Sequence, residues 1–273
     1  MAIFGTVGLF RRWIPLSSGM LAMLRGFIGA GFLLLVRRQM PDWKAVRRNL
    51  LPLICSGAFM GANWILLFEA YNHTTVPTAT LCYYMAPVFV TLASPILLKE
   101  RLSWVKALCV AVALGGMVLV SGIVGVGFRF AAEGLGVAMA LGAALLYACV
   151  TLTNKKLRDI SGFDATVVQL LVAAVVLVPY VFFAEGAHWA AMDWTGYAAL
   201  AVVCLVITGL AYQLYFGSLQ FIPAQTAAVL GYIDPVVAVL LSWVFLGESL
   251  GALGIVGAVL IVGATLCSQL FGE

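Results

Sequence analysis

Charge is scarce in this chain. Fifteen basic and eleven acidic residues make up 10% of 273, against about 25% in an ordinary soluble domain. So few charged groups cannot clothe a water-facing surface of this length, which excludes a soluble globular protein. Histidine is rarer still: His73 and His188 are the two in the chain, and both fall in loops between apolar runs. There is no H-E-x-x-H, no G-x-S-x-G and no suitable pair of intramembrane aspartates, so the common hydrolytic chemistries lack their groups. No P-loop is present, so ATP does not drive the protein directly. The six cysteines, Cys55, Cys82, Cys109, Cys149, Cys204 and Cys267, stand singly in apolar stretches without C-x-x-C spacing. They read as small buried hydrophobes rather than metal ligands. No cofactor or metal is implied.

What the chain has is apolar length. It is 64% hydrophobic with a mean hydropathy of +1.10, enough for roughly ten spans of about 20 residues joined by short loops. Met1–Phe10 covers about half a bilayer; it reads as the second half of a first helix whose start is missing, or as an interfacial stub. The later spans are Ser17–Val36, Leu50–Tyr71, Thr78–Leu98, Trp104–Val124, Gly134–Thr153, Ala165–Ala184, Trp194–Tyr215, Thr226–Phe245 and Gly251–Phe271. All are too long and too uniformly apolar for soluble strands and are expected to be helices.

Basic residues set an orientation. Arg37, Arg38, Lys44, Arg47, Arg48, Lys99, Arg101, Lys106, Lys155, Lys156 and Arg158 follow the second, fourth and sixth spans. The opposite loops hold Arg11, Arg12 and Arg129. The basic side is expected to be cytoplasmic, with the C-terminus inside. This placement accounts for the net charge of +4 without nucleic acid. Trp13, Trp43, Trp104, Trp189 and Trp194 fall at span ends, as an aromatic belt would; Trp64 and Trp243 do not.

One stretch occurs twice. Thr78–Leu102 aligns without a gap to Thr226–Leu250, with Tyr84/Tyr232, Pro87/Pro235, Ser94/Ser242 and Glu100/Glu248 among the identical pairs. Composition alone would not align Tyr, Pro, Ser and Glu at one spacing. Each half holds an odd number of spans, so the second half, residues 134–271, lies upside down relative to the first, residues 1–124. An inverted duplication of membrane helices is the signature of a secondary transporter.

The proline-containing fourth and ninth spans, closing in Glu100-Arg101-Leu102 and Glu248-Ser249-Leu250, together with Arg25 in MLRGFIGA, resemble the EamA family of the drug/metabolite transporter superfamily. The resemblance covers essentially the whole chain. It implies an all-α integral membrane protein, a ten-helix bundle of two inverted five-helix repeats, here with the first helix apparently truncated. It also implies export or exchange of a small organic metabolite through a central cavity in the cell membrane. Amino acids and cationic compounds are among the family's substrate classes.

Charge within a span costs about 2.5–3.5 kcal/mol, and Arg25, Glu69 and Asp234 lie clearly within spans. Asp234 precedes Pro235, whose missing N–H disturbs the preceding turn; it can bind a cation, a proton or a substrate ammonium, or cap the local break. Glu69 is a proton-coupling candidate if buried, or a solvated group near the headgroups. Arg25 can take a carboxylate, though the resemblance points to a packing or ion-pair role. Tyr147, Thr151 and Asn154 share one helix face, and Thr208, Tyr212 and Tyr215 share another, with Gln213 beside them. With Asn63, Trp64, Tyr83, Tyr84 and Tyr232 they suit an aromatic-walled cavity for a small organic ligand, or plain interhelical hydrogen bonding. Pro87 and Pro235 are expected to let their helices bend during rocking of the two halves. Glu100 and Glu248 read as scaffold or gating residues.

The functional expectation is a secondary transporter for a metabolite, foremost an amino acid or related compound, working by alternating access. A multidrug or organic-cation exporter is the alternative. A channel is disfavoured because no ring-forming carbonyl loop or symmetric charged constriction is visible, and an intramembrane enzyme because the motifs are missing. The partners are a small-molecule substrate, the lipid bilayer, and a coupling proton or antiported solute.

Overall fold

In the lipid interior every backbone N–H and C=O must find its partner within the chain, which leaves helices as the spanning element for runs of this length. The computed structural model describes residues 2–7, 10, 13–38, 40–74, 76–100, 103–120, 130–186, 190–246 and 252–271. Among them all regular structure is helical. Glu248, Arg11, Arg12, Arg101, Arg129, His188 and Trp189, singled out in the sequence, lie outside the described residues.

The helices are α1 (Ala2–Gly5), α2 (Ser18–Arg37), α3 (Trp43–Arg48), α4 (Leu50–His73), α5 (Val76–Tyr83), α6 (Ala86–Leu97), α7 (Trp104–Val120), α8 (Phe130–Asn154) and α9 (Gly162–Tyr180). They continue with α10 (Trp194–Ala201), α11 (Ala211–Ser218), α12 (Ala224–Leu230), α13 (Ile233–Leu246) and α14 (Ala252–Phe271). The wider π-helical turns Val181–Glu185 and Val202–Leu210 prolong α9 and link α10 to α11. Among the described residues, six helical stretches are long and apolar enough to cross a membrane: Ser18–Arg37, Leu50–His73, Thr78–Leu97, Gly134–Asn154, Gly162–Glu185 and Trp194–Ser218. Trp104–Leu119 and Ala252–Ser268 are shorter apolar helices.

Among the described residues, four starts are capped by the residue that precedes them, whose side chain accepts from the otherwise unpaired first-turn amides. Ser17 accepts from Met20 N at 3.3 Å, Asp42 from Lys44 N at 2.9 Å, Ser161 from Asp164 N at 3.1 Å and Asp193 from Gly196 N at 2.9 Å. The loop expected around Lys44, Arg47 and Arg48 is thus a capped short helix, α3.

Two spans read as single bent helices are in fact broken. Turn residues Tyr84 and Met85 separate α5 from α6, and Gly231 and Tyr232 separate α12 from α13. Each break lies just before a proline, Pro87 or Pro235. A proline removes one helical hydrogen bond, and its ring crowds the carbonyl four residues back. The chain passes the first break with a tighter bond from Met85 N to Cys82 O, 3.1 Å, and the second with Tyr232 N to Val229 O, 3.1 Å.

By its contacts the chain divides into two units, each with helices from both halves of the sequence. The first holds 1–6, 66–148 and 222–273. In it α7 packs along α14 through Cys109, Ala113, Met117, Ile261 and Ala264, joined by Tyr232 and Val236. Gly116 permits that approach: a Cβ there would meet the Gly257 carbonyl oxygen at 2.7 Å. A second cluster, Ala70, Ala79, Cys82, Val137 and Ala140, joins the end of α4 to α5 and α8. Lys99, in the left-handed region at φ 58°, ends α6 and turns the chain so that Glu100 accepts from Ala224 N at 3.0 Å, the first amide of α12. Gln225 then donates to Ser94 at 2.9 Å.

The second unit holds 7–65 and 149–221. Here α2 and α9 are tied at both ends. Arg37 reaches the cap residue Ser161 at 3.4 Å and Asp164 at 3.9 Å. At the other end, Glu185 accepts from Ser17 Oγ at 2.5 Å, Gly19 N at 2.9 Å and Met20 N at 3.1 Å, a carboxylate on a helix N-terminus where the dipole favours it. Between them Gly26 sits against α9, with a Cβ position only 2.7 Å from that of Ala174 and 2.8 Å from the Leu170 carbonyl oxygen.

Candidate functional site

Among the described residues, each unit carries a polar-aromatic cluster inside apolar surroundings. In the first, Asp234 occupies the first turn of α13, so the break before it places an acid at the N-terminal end of a half-helix, where exposed amides favour negative charge. The Tyr84 hydroxyl donates to the Asp234 carboxylate. Tyr84 stacks on Tyr232 with ring centres 6.2 Å apart and planes inclined by 28°, and the Tyr232 hydroxyl donates to the Tyr84 carbonyl at 3.0 Å. Tyr83 stands edge-on to Tyr84 at 6.2 Å and lies 5.9 Å from Tyr147. One carboxylate is thus gathered with four tyrosines. Glu69, on α4, accepts from Asn72 Nδ2 at 3.2 Å.

In the second unit the centre is Arg25. Its Nε donates to Thr208 Oγ1 at 2.8 Å, and its guanidinium lies over Trp64, 5.4 Å from the ring centroid. That distance is within range of a cation–π attraction and accounts for a tryptophan far from the belt. Trp64 meets Tyr212 edge-on at 6.3 Å. Tyr212 and Tyr215 both flank Phe216, at 5.5 and 5.2 Å. Thr208 donates in turn to the Val203 carbonyl at 2.8 Å inside the π-helical stretch.

Tyr147, Thr151 and Asn154 follow one another along α8. Tyr147 belongs to the first unit, while Thr151 and Asn154 of the same helix belong to the second. Thr151 is buried, as is Asn63, and Gln213 is half-buried. Asn154 serves interhelical bonding, donating to Ser56 Oγ at 3.1 Å and accepting from Gln169 Nε2 at 2.9 Å. Pro87 and Pro235 are buried beside the two breaks, and Glu100 is a helix cap. Gly57 and Gly61 press on α9 and Gly116 on α14, but a Cβ on Gly115 would meet nothing within 4 Å.

Sequence reasoning missed Glu185, Gln169 and Ser56. A signal for Glu185 existed: it stands at the repeat position of Arg37, both closing an apolar run. For Gln169 and Ser56 the local pattern carries none, since their partners are remote in the chain.

Long apolar helices, six of them among the described residues able to cross a membrane, define a multi-pass membrane protein. A family model described as the EamA-like transporter family matches residues 1–122 and 134–269, and the chain belongs to that family. It is 30% identical over 250 residues to "Uncharacterized transporter YxxF" of Bacillus subtilis (strain 168), covering 90% of this chain and 79% of that one. It is 28% identical over 277 residues to the "Probable terminal-alkyne amino-acid exporter" of Streptantibioticus cattleyicolor, covering 96% and 86%. A protein of known crystal structure shares the fold with a TM-score of 0.88 at 19% identity, over 98% of this chain and 93% of that one.

Proposed function

We propose that this protein is a secondary transporter that exports or exchanges an amino acid or related metabolite across the cell membrane by alternating access. The observation that carries the reading is Asp234, bonded to Tyr84 and gathered with Tyr83, Tyr147 and Tyr232 at a broken helix. A substrate ammonium finds there an opposite charge and tyrosine faces that attract cations, away from competing water. The amino-acid exporter among the relatives supports the substrate class.

The repeat, with the odd number of spans per half, supports ten helices in two inverted five-helix repeats, residues 1–124 and 134–271. The distribution of basic residues supports a cytoplasmic C-terminus. The breaks at Tyr84–Met85 and Gly231–Tyr232 supply hinges that absorb backbone change. A proton or an antiported solute drives the cycle.

Counterflow in proteoliposomes with a mixed pool of amino acids and organic cations, read by mass spectrometry, tests this. Exchange of amino acids that is lost in Asp234→Asn supports the proposal. Exchange of organic cations alone replaces it with a multidrug exporter. No saturable exchange at all, with the protein folded, sinks the transporter reading.

A further inference from the structure

We propose that Arg25 is a carboxylate-binding residue, which presents its free guanidinium N–H groups to the acid group of the transported substrate. The inference rests on the transporter reading above and adds a chemical requirement to it: the substrate carries a carboxylate.

Three observations lead there. First, Arg25 lies in the middle of a span, and no carboxylate stands within 4.0 Å of it among the described residues. Arg37 and Arg48, at the margins of the same unit, both have one, Asp164 at 3.9 Å and Asp159 at 2.9 Å. A guanidinium stays charged inside the membrane at considerable cost and ordinarily finds an anion.

Second, the contacts it does make leave its recognition edge open. Thr208 takes Nε and Trp64 takes one face; among the described residues neither terminal nitrogen has a hydrogen-bond partner. Those two nitrogens are the pair that grips a carboxylate with two parallel bonds.

Third, the group is held in place by supports that are themselves fixed. Thr208 is locked by its bond to Val203 O, and Trp64 is buttressed by Tyr212. A pure helix tie would need only the Thr208 bond, which a neutral side chain supplies. The local π-helix, a feature common at functional sites, is what brings the Thr208 hydroxyl within reach of a carbonyl five residues back.

The test uses the full chain in detergent and in proteoliposomes. The probes are L-threonine and L-phenylalanine, their amides, which keep the ammonium, and their N-acetyl forms, which keep the carboxylate. Stabilisation against heat and competition in counterflow are both read. Wild type is expected to prefer each acid over its amide. Arg25→Gln is expected to weaken the acid about 10–100-fold, as for loss of a charge-assisted pair, and leave the amide unchanged. Arg25→Lys should restore part of the preference.

Equal losses for acid and amide in both variants would show a structural role and overturn the inference. So would a wild-type protein that does not distinguish acid from amide, a result that needs no variant. If wild type binds none of the amino acids, the substrate class proposed above fails separately, and benzoate and pyruvate decide the matter for Arg25. Stabilisation of wild type but not of Arg25→Gln sustains the inference, and none in wild type ends it.

Discussion

The Tyr232 hydroxyl donates to the carbonyl oxygen of Tyr84, its own counterpart 148 residues earlier in the sequence. The two rings stack as well, and each residue sits in the break of its helix.

Tyr232→Phe keeps the stack and removes the hydroxyl. It leaves a carbonyl beside a helix break without that donor, at a cost of about 1–3 kcal/mol. A lower melting temperature in detergent, with Tyr232→Leu lower still through loss of stacking, is the expected result. An unchanged melting temperature for Tyr232→Phe would mean that the hydroxyl contributes nothing to the break.

Asp234 has no acidic counterpart in the first repeat, where Ala86 stands. An acid kept in one copy alone serves something other than the shared scaffold. Asp234→Asn is expected to keep the helix start and the melting temperature while lowering the transport rate at least tenfold. Tyr84→Phe, which removes the hydroxyl donated to Asp234, should show a smaller loss in the same assay. A variant Asp234→Asn that transports normally would remove the acid from the mechanism.

Much of the fold was legible because the membrane enforces it. Composition and span length point to helices, and the pairs Tyr84/Tyr232 and Pro87/Pro235 marked where the copies correspond. The prolines announced a disturbance, but whether a helix bends or breaks depends on what meets the freed carbonyls, here Tyr232 from far along the chain. The grouping of Tyr83, Tyr84 and Asp234 was foreshadowed by polarity within spans. The partners of Arg25 were not, because a guanidinium in a span announces its cost and not its neighbours. Glu185 escaped because the reading stopped the span one residue short, at Ala184.

Glu185 satisfies Ser17 and the first-turn amides of Gly19 and Met20 together. Glu185→Ala deprives three donors of one acceptor and is expected to destabilise by about 1–3 kcal/mol. Glu185→Gln keeps the shape but loses the charge that the helix dipole favours, and should cost less. Thermal melting of the two variants checks the order; equal melting of both with wild type would show that the tie is idle.

Asp193 sets a pH limit outside the apolar spans. Its carboxylate accepts from Thr195 Oγ1 and Gly196 N, and these bonds, Thr195 first, hold it below the usual carboxylate range. A lowered folded-state value means that the cap contributes fully above the ordinary aspartate range, about 4, and is lost as pH falls through the lowered value. Hydrogen exchange in the first turn of α10, corrected for intrinsic rate, should stay protected near pH 4 and rise below it. Asp193→Asn should flatten that dependence, since asparagine caps without titrating.

Gly115 and Gly116 are neighbours on α7 with opposite expectations. A Cβ on Gly115 enters open space, so Gly115→Ala gains the helical preference of alanine, up to about 1 kcal/mol. A Cβ on Gly116 would stand 2.7 Å from the Gly257 carbonyl oxygen and 2.9 Å from Ile261 Cγ1. The first of these is backbone and cannot swing aside, so α7 and α14 must separate, at a cost of about 1–3 kcal/mol. Thermal denaturation of the two alanine variants in one detergent, followed by the loss of monodisperse protein, should place Gly115→Ala at or above wild type and Gly116→Ala several degrees below. Were both to melt with wild type, the close approach of α7 and α14 at Gly116 would be refuted, because no other arrangement lets a methyl group share that space with a carbonyl.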